Sequence, residues 1–330
     1  MTNTITPMPY CENPITIPSF EAPGKIYGLT HPDVVKLEKP WQGYTYWMAV
    51  TPNQTGNSQF ENPCLAASND GLHWEVPKGL QNPLTGIAEE PLPFHNCDTD
   101  LIYNEKEDVL QVYYVWSKDE PVYGEEGCHP SEVRMIKVAK DGEGFKVDSP
   151  VAVATSTYRY DLLSPAIVKG PDGTYRMWSV NTRDQGWNNQ CNHVDLRLSE
   201  DGLSWGEPQS LENSFSQNGY QVWHLDVRYI PEKEEYWTFF SAYKNGGGSD
   251  HTDLFFAKSK DGILWETYEK PVLAMREDGW DNDFIYRSTF RYEVEADLIR
   301  LWYSAGQSAG WQIGYTENTY TEMMTSLKKV

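Results

Sequence analysis

A short motif with the pattern Ser-x-Asp-Gly-x-x-Trp occurs three times in this chain of 330 residues, and a weaker copy lies between the first two. Asp-Gly favours tight turns between antiparallel strands, because glycine adopts a positive φ at little cost. A strand-turn-strand unit therefore recurs about every sixty residues, a spacing typical of propeller blades. The aspartates of the four copies lie 71, 60 and 60 residues apart, at Asp70, Asp141, Asp201 and Asp261.

Each repeating unit also begins with a short strand that opens on a polar residue, and a strand rich in tyrosine and tryptophan follows it. Helical periodicity is nearly absent, apart from a tail beginning at Thr321 that favours a short helix. The sequence predicts an all-β fold, a five-bladed β-propeller of four-stranded antiparallel blades around a central channel. The five predicted inner strands comprise residues 31–35, 98–102, 164–168, 224–228 and 287–291.

The propeller is predicted to be one domain, because no Gly/Ser linker or run of charges divides the chain. Residues 1–24 contain five prolines and are expected to form an extended arm on the outside of a blade. Residues 25–330 are expected to form the single propeller. Its blades are predicted at roughly 29–80, 94–150, 160–212, 220–272 and 283–320.

Charge and composition exclude several classes of partner. The formal net charge is −21 and no basic stripe is present, which excludes nucleic acid and an anionic membrane surface. No apolar run is long enough to span a bilayer, and the N-terminus lacks a signal-peptide pattern. Five cysteines without C-x-x-C spacing indicate reduced thiols rather than disulfides or a zinc site. A cytoplasmic protein is expected, or one exported within a larger assembly such as a phage particle.

The polar-opening inner strands, two of them with proline as the second residue, resemble those of the five-bladed β-propeller glycoside hydrolases. This is the group of families 43, 32, 62, 117 and 130. The Ser-x-Asp-Gly-x-x-Trp turns also resemble the Asp-box of sialidases, with one residue fewer between Asp and Gly. The resemblance extends from about Leu29 to Tyr315. It implies a carbohydrate-active hydrolase whose partner is an oligo- or polysaccharide.

The chain departs from the family 43 pattern at two of three catalytic positions. That pattern has an Asp before proline in the first blade as base, an Asp in the second blade that orients the sugar, and a Glu before proline in the third blade as acid. The matching positions here are His31, Asp98 and Leu163-Ser164. The usual pair of carboxylates is therefore not present in standard form. Family 117 is a partial parallel, because a histidine is described there in the acid role.

Residues two apart on a strand share a face, so the inner strands are expected to turn polar pairs towards the channel. Crowded carboxylates raise one another's proton affinity, and a histidine donates protons near neutral pH. The catalytic hypothesis takes Asp98 or Asp33 as base or orienter and His224 as acid. His31 is the alternative acid, and Glu61 is a candidate for the missing carboxylic acid. The inward-facing pairs are His31 with Asp33, Asp98 with Asp100, His224 with Asp226, and Arg287 with Thr289.

The same groups support a second hypothesis, the binding of Ca²⁺, Mn²⁺ or a similar ion in the central channel. Such an ion would activate water for hydrolysis of a glycan or of a phosphodiester-linked polymer. The alternative is that the aspartates lying deeper in the channel only accept hydrogen bonds from backbone N–H groups. The candidate metal ligands are His31, Asp33, Asp100, His224 and Asp226.

Further residues are candidates for binding substrate at the channel and its rim. Arg287 would either pair with Asp226 or hold a carboxylate or phosphate of the ligand. Trp223 and Trp187 are candidates for stacking on sugar faces. Arg183, Asp184 and Trp187 share a long loop of the kind that often carries function. The predicted substrate-binding set is Arg287, Asp100, Asp226, Asn62, Trp223, Trp187 and Arg183.

The leading functional hypothesis is a glycoside hydrolase, or a related hydrolase, that acts on a polysaccharide or surface glycan at the channel. One alternative is a non-catalytic propeller that binds glycan as a receptor-binding module. Another is a metal-dependent hydrolase of a phosphodiester-linked glycan polymer. Histidine and aspartate gathered on one axis favour an enzyme, because a binding module has no need of titratable groups that cost stability when buried.

Overall fold

The computed structural model describes residues 6–18, 26–54, 61–86, 94–118, 130–158, 160–183, 188–211, 215, 219–276, 278–307 and 310–328. Within these residues a 3₁₀ turn occurs at Val294–Ala296, and helix α1 (Tyr320–Lys328) lies in the tail where the sequence predicts one. The strands in chain order are β1 (Ile26–Trp41), β2 (Tyr44–Gln54), β3 (Cys64–Ser68), β4 (Phe94–Asn104), β5 (Val109–Lys118), β6 (Ser131–Asp141), β7 (Gly144–Val147), β8 (Val151–Ser156), β9 (Leu163–Lys169), β10 (Tyr175–Asn181), β11 (His193–Ser199), β12 (Gln209–Ser210), β13 (Tyr220–Ile230), β14 (Glu235–Lys244), β15 (Thr252–Ser259), β16 (Glu266–Thr267), β17 (Phe284–Glu293), β18 (Leu298–Gln307) and β19 (Gly310–Thr319).

The strands form sheets whose innermost strands surround a central channel. Strands β4 to β7 form one sheet with β8 beside β6, β9 to β12 form a second, and β13 to β16 form a third. The remaining strands form a six-stranded sheet in the order β17-β18-β19-β1-β2-β3. The inner strands β1, β4, β9, β13 and β17 contact one another in a closed circle. The fold is an all-β propeller with four-stranded antiparallel blades.

The prediction of five separate blades is wrong, because the described residues form four sheets. Strand β1 pairs in parallel with β19 at Gly28 and Trp311, which joins the first and last predicted units into the six-stranded sheet. This approach requires glycine, since a Cβ at Gly28 (φ +148°) would lie 1.7 Å from the carbonyl oxygen of Trp311. The joint closes the propeller between the two ends of the chain.

A β-bulge interrupts each inner strand near the residues that the sequence predicts as site residues. In β1, the register against β2 shifts between Thr30 and Asp33. His31, Asp98 and Ser164 lie at such bulges with φ of 52°, 53° and 51°, in the left-handed region. That conformation costs a non-glycine residue about 1–3 kcal/mol. Bulges change the direction of side chains and are common beside active sites. The bulged part of the inner strands is therefore a candidate position for a functional site.

Buried side chains join several inner strands to the backbone of the next. Asp33 of β1 accepts a hydrogen bond from the N–H of Leu101 in β4 at 2.5 Å. Asp98 of β4 accepts one from the N–H of Ser164 in β9 at 3.0 Å. The Ser164 hydroxyl donates to the carbonyl of Leu225 in β13 at 3.0 Å. These contacts pair backbone groups that would otherwise be buried without partners, and they fix the inner strands relative to one another.

The three Ser-x-Asp-Gly-x-x-Trp motifs form the same turn after the third strands β3, β11 and β15. In the second copy, the Ser199 hydroxyl accepts a hydrogen bond from the N–H of Gly202 at 2.9 Å. Asp201 accepts hydrogen bonds from the N–H groups of Leu203 and Ser204 at 2.8 and 2.7 Å. Equivalent bonds occur in the other two copies.

Each of these turns also docks on an aromatic side chain of another sheet or predicted unit. The glycine carbonyl of the turn accepts a hydrogen bond from a tryptophan or tyrosine on a second strand of the neighbouring unit. The repeated motif therefore has a structural role between neighbouring units, which explains its recurrence. The pairs are Gly71 with Trp302 at 2.8 Å, Gly202 with Tyr113 at 3.3 Å, and Gly262 with Trp178 at 2.9 Å.

Residues 6–18 lie along the sheets formed by the last part of the chain. The N–H of Met8 donates to the carbonyl of Val272, and the N–H of Ile15 donates to that of Ile313, both at 2.9 Å. Met8 is fully buried in the same core as Met323 of α1. In the part of the chain that the structure describes, we find no helix with the length and apolar character needed to cross a membrane.

Candidate functional site

Three buried side chains from three inner strands meet in the channel at the bulges of these strands. They are His31 of β1, Asp98 of β4 and His224 of β13, which we call the upper cluster. Nε2 of His31 lies 3.1 Å from Oδ1 of Asp98, and Nδ1 of His224 lies 3.3 Å from the same oxygen. No residue of the three is more than 5% exposed. Two imidazoles and one carboxylate therefore converge where bulk water is excluded.

The outward-facing atoms of the upper cluster are held by neighbours, whereas several inward-facing atoms have no hydrogen bond. Nδ1 of His31 lies 2.7 Å from the hydroxyl of Thr51, and Oδ2 of Asp98 accepts the N–H of Ser164. Among the described residues, Oδ1 of Asp98 and both ring nitrogens of His224 have no hydrogen-bond partner. A buried polar atom left in this state costs about 1–3 kcal/mol. These atoms therefore point to a ligand that binds between them.

The spacing of the facing atoms fits a metal ion. Ligands placed about 2.1 Å from a tetrahedral zinc lie about 3.4 Å from one another, close to the separations of 3.1 and 3.3 Å around Asp98. A ligating histidine usually makes a hydrogen bond through its other nitrogen, as His31 does with Thr51. Two histidines and one carboxylate also form the ligand set of catalytic zinc and non-haem iron sites that keep a coordination position open.

Electrostatics hold the upper cluster in the protonation state that a cation requires. Burial lowers the pKa of His31 to about 4 and the pKa of His224 to about 3, so both imidazoles are neutral near pH 7. Burial alone would raise the pKa of Asp98, but the adjacent histidines and Arg287 hold that pKa below its ordinary value. Metal ligands must be neutral imidazoles and ionised carboxylates, which is the state of these three groups.

Asp33, Asp100 and Asp226 form a second group one step further along the channel, which we call the lower cluster. The guanidinium of Arg228 enters this group. It contacts Asp33 and lies 3.2 Å from Oδ1 of Asp226 and 4.0 Å from Oδ1 of Asp100. Arg287 approaches Asp100 from another side, with Nη2 3.8 Å from Oδ1. Arginine therefore already supplies the positive charge among these carboxylates.

The residues predicted as metal ligands thus separate into two groups. His31 and His224 lie together with Asp98, a residue that the metal hypothesis did not include and that the catalytic hypothesis did. The three lower aspartates surround Arg228 instead. The structure therefore brings the two histidines to one point, with Asp98 as their shared carboxylate.

The lower cluster is held by ion pairs and two backbone hydrogen bonds, whereas neither carboxylate oxygen of Asp226 has a hydrogen-bond partner among the described residues. Asp33 accepts the N–H of Leu101, and Asp100 accepts the N–H of Ile167 at 3.3 Å. The alternative to metal binding was that these aspartates accept hydrogen bonds from backbone N–H groups, and Asp33 and Asp100 make such contacts. Burial raises the pKa of Asp226 to about 6 and raises the pKa of Asp100 well above its ordinary value. Breaking such a buried group by removing one partner is strongly destabilising.

Glu61 and Asn62 are buried close to the upper cluster, with exposed fractions of 5% and 3%. Oδ1 of Asn62 accepts a hydrogen bond from Asn96 at 2.8 Å, two residues before Asp98 in β4. Burial raises the pKa of Tyr286, and the charges of Asp98 and Glu61 raise it further, so Glu61 lies within electrostatic reach of this ring. A second carboxyl group is therefore present at the same end of the channel.

Sequence reasoning missed a row of aromatic side chains beside the upper cluster. The ring centroid of Tyr286 lies 4.1 Å from that of His224 and 4.7 Å from that of Trp311, which lies 4.1 Å from Phe284. All three rings of this aromatic row are partly exposed. Strict alternation from Arg287 assigns Tyr286 to the other face of β17, but the bulge between Ile285 and Ser288 breaks that alternation. The available signal is an aromatic residue directly before the polar start of β17.

Two residues predicted to bind substrate are buried within the fold. The side chain of Arg287 is fully buried and donates to the carbonyl of Pro165 at 3.0 Å, so it lies below the surface that a ligand would meet. Trp223 is 4% exposed and packs edge-on against His224, with ring centroids 5.3 Å apart. Its indole face is therefore not open to a sugar.

The predicted rim loop is only partly described. Arg183 is exposed directly after β10, and its backbone N–H donates to the side chain of Asn181 at 2.8 Å. Asp184 and Trp187 lie outside the described residues.

The chain is similar in sequence to the A type blood N-acetyl-α-D-galactosamine deacetylase of Flavonifractor plautii. The two are 36% identical over an alignment of 364 positions, which covers 91% of this chain and 46% of the relative. The chain therefore spans about half the length of this curated relative. No family model matches the chain.

Two solved structures show what the fold is similar to. An N-acetylgalactosamine deacetylase from F. plautii in complex with blood group B trisaccharide matches with a TM-score of 0.83 and 32% identity over 98% of both chains. The endo-arabinase from Bacteroides thetaiotaomicron matches with a TM-score of 0.60 and 12% identity over 91% of this chain and 97% of its own. The second likeness shows the fold alone. The propeller relatives are thus glycoside hydrolases or glycan-modifying enzymes.

Proposed function

The chain belongs to the family of the N-acetylgalactosamine deacetylase of F. plautii, and we propose that it removes the acetyl group from an N-acetylamino sugar of a glycan with the help of a divalent cation. The upper cluster would hold that cation through His31, Asp98 and His224. The observation that carries this proposal is the convergence of these three side chains with their facing polar atoms lacking hydrogen bonds.

The reaction breaks the amide C–N bond of the N-acetyl group and forms a new C–O bond to water. The cation supplies polarisation of the acetyl carbonyl and a lower pKa for water. Glu61 is the base that takes the water proton and returns it to the nitrogen as the C–N bond breaks, which gives acetate and a free amine. His31 and His224 remain ligands in this scheme, so the acid role expected of His224 passes to Glu61.

The aromatic row is proposed to orient the sugar. Tyr286 contacts His224 and Trp311 contacts Tyr286, and both rings are partly exposed. The apolar faces of pyranose rings pack well against aromatic side chains. A sugar stacked there would present its N-acetyl group to the upper cluster.

The test is a product assay on the purified chain loaded with Zn²⁺ or Mn²⁺. An oligosaccharide that ends in N-acetylgalactosamine is compared with the same oligosaccharide ending in galactose. We expect acetate and an equal amount of free amine from the first and neither from the second. Chelation should abolish the release, and re-addition of the metal should restore it. Absence of acetate from the acetylated glycan at every metal tested would contradict the proposal.

A glycosidase is the second candidate, because Asp98 and Glu61 place two buried carboxyl groups at the same end of the channel. Such a pair is the basis of glycoside hydrolysis. The same assay separates the two candidates by measuring reducing ends. New reducing ends without acetate would favour the glycosidase. Glycan binding without either product would favour the non-catalytic propeller.

A further inference from the structure

A cavity lies at the opposite end of the channel from the upper cluster. It has a volume of about 1050 Å³, and we call it the basal cavity. Its walls come from the ends of the inner strands and the turns that follow them. Its lining includes Trp41, Tyr229, Arg228 and Arg291, with Glu38 and Glu232 at the edge. The lower cluster separates this cavity from the upper cluster.

Two arginines reach the basal cavity from neighbouring inner strands. Arg228 and Arg291 occupy the same position in β13 and β17, two residues after Asp226 and Thr289 respectively. The equivalent positions on β1, β4 and β9 carry aliphatic residues. At this level of the channel, below the lower cluster, the positive charge is therefore concentrated on the side formed by β13 and β17.

The two guanidinium groups have N–H donors that form no hydrogen bond with the described residues. Arg228 is 13% exposed, and its Nη2 contacts the lower cluster, but its Nε has no partner among the described residues. Arg291 makes one hydrogen bond within the described chain, from Nη1 to the carbonyl of Phe290 at 2.7 Å. Burial and the nearby charge of Arg228 lower the pKa of Arg291 to about 9. Arg291 is thus a partly exposed cation beside a like charge, and its one hydrogen bond leaves further guanidinium donors for a ligand.

The remaining walls combine apolar side chains in the interior with charged side chains of both signs at the edge. Trp41 is buried and Tyr229 is partly buried, so the inner wall is largely apolar. Glu38 and Glu232 are exposed at the edge, where solvent screens their charge. An anion inside the cavity would therefore interact more strongly with the partly buried arginines than with the exposed glutamates.

We propose that the basal cavity is a second binding site, which takes a small molecule bearing a carboxylate or phosphate group through Arg291, with Arg228 beside it. Charge-assisted hydrogen bonds from guanidinium groups suit both of these anions. The apolar wall would contact the uncharged part of the molecule. This site is independent of the proposed deacetylase activity, because the lower cluster lies between the two.

The test measures binding of three probes to the full chain by calorimetry: inorganic phosphate, glucuronate and glucose. We expect phosphate, glucuronate or both to bind, and glucose not to bind. Binding of phosphate alone assigns the site to phosphorylated ligands, and binding of glucuronate alone assigns it to carboxylates. Binding of neither anion, or equal binding of glucose, would overturn the proposal.

Variants then locate the binding. Arg291→Gln should weaken anion binding at least about tenfold, since it removes a charge-assisted bond. Arg291→Lys keeps the positive charge but loses the planar guanidinium, so it should weaken anion binding less than Arg291→Gln. It provides a test if Arg291→Gln does not fold. Arg134→Gln is the matched control, because Arg134 stacks on Trp116 and pairs with Glu132 rather than lining the cavity. Unchanged affinity in both Arg291 variants would overturn the proposal.

Discussion

At the scale of single residues, His224 has the least satisfied surroundings of the upper cluster. It is 2% exposed, and neither ring nitrogen has a hydrogen-bond partner among the described residues. A buried imidazole in a purely structural role normally has partners for its polar atoms. A bound cation would supply that partner and recover the cost of the missing hydrogen bonds. The residue is therefore best explained by a ligand that it shares with His31 and Asp98.

Asp98→Asn should lower metal affinity and acetate release, each at least about 100-fold, because removing even an outer partner of a metal ligand costs 10–100-fold. The amide keeps the shape of the side chain and can still accept the N–H of Ser164. The matched control is Asp195→Asn, a buried aspartate 3.3 Å from His193 in β11. Metal content by elemental analysis and acetate release check both variants. Wild-type values in Asp98→Asn, or equal losses in the control, would contradict the assignment.

Glu61→Gln should separate proton transfer from metal binding. We expect acetate release to fall about 10²- to 10⁴-fold, the usual contribution of a general base, while metal content stays at the wild-type level. Asp108→Asn is a control, since that carboxylate is exposed and accepts the hydroxyl of Tyr103. A Glu61→Gln variant that loses its metal would make Glu61 a ligand, and one with full activity would remove it from the mechanism.

Trp311→Ala should affect glycan recognition more than chemistry. Loss of one stacking contact of about 0.5–1.5 kcal/mol should raise KM for the oligosaccharide up to about tenfold and change kcat little. Trp116→Ala is the matched control, because Trp116 packs under Arg134 and is not part of the aromatic row. Steady-state kinetics of acetate release give both constants. An unchanged KM, or the same rise in the control, would show that Trp311 is not a sugar platform.

Among the elements, the inner strands were predicted at the correct positions in the sequence, but their bulges were not predicted. Their polar-x-polar openings predicted which residues face the channel, and His31, Asp98 and His224 do meet there. The bulges were not predictable from residue type, because His31, Asp98 and Ser164 adopt a left-handed φ without a glycine to signal it. Tyr286 was missed for the same reason, since the bulge in β17 changes which residues share a face.

The repeated turn makes a prediction about stability in acid. Backbone N–H groups of Ser204 and Leu203 lower the pKa of Asp201 to about 2. A carboxyl group whose pKa is lower in the folded state stabilises the fold above its unfolded pKa, and this contribution is lost as pH falls. The stability difference between wild type and Asp201→Asn should therefore shrink between about pH 4 and pH 2. Denaturant unfolding across this pH range measures this difference, with Glu200→Gln as control. A stability difference that does not change with pH would contradict the prediction.

At the scale of the whole molecule, closure of the propeller brings the site together from distant parts of the chain. The sequence predicted the circle of inner strands but not the joint at Gly28 and Trp311, because a single parallel bridge leaves no periodic pattern. It predicted Asp33, Asp100 and Asp226 as metal ligands but did not predict the guanidinium of Arg228, which lies among them. Extending the alternation by two residues, from Asp226 to Arg228, would have predicted that arginine in the channel.

The proposed function depends on a divalent cation bound between His31, Asp98 and His224, which anomalous diffraction from crystals soaked in Zn²⁺ or Mn²⁺ would reveal. We predict one strong anomalous peak about 2.0–2.3 Å from Nε2 of His31, Oδ1 of Asp98 and a ring nitrogen of His224. The peak should disappear in Asp98→Asn crystals. A peak among Asp33, Asp100 and Asp226, or no peak in the channel at saturating metal, would contradict the account.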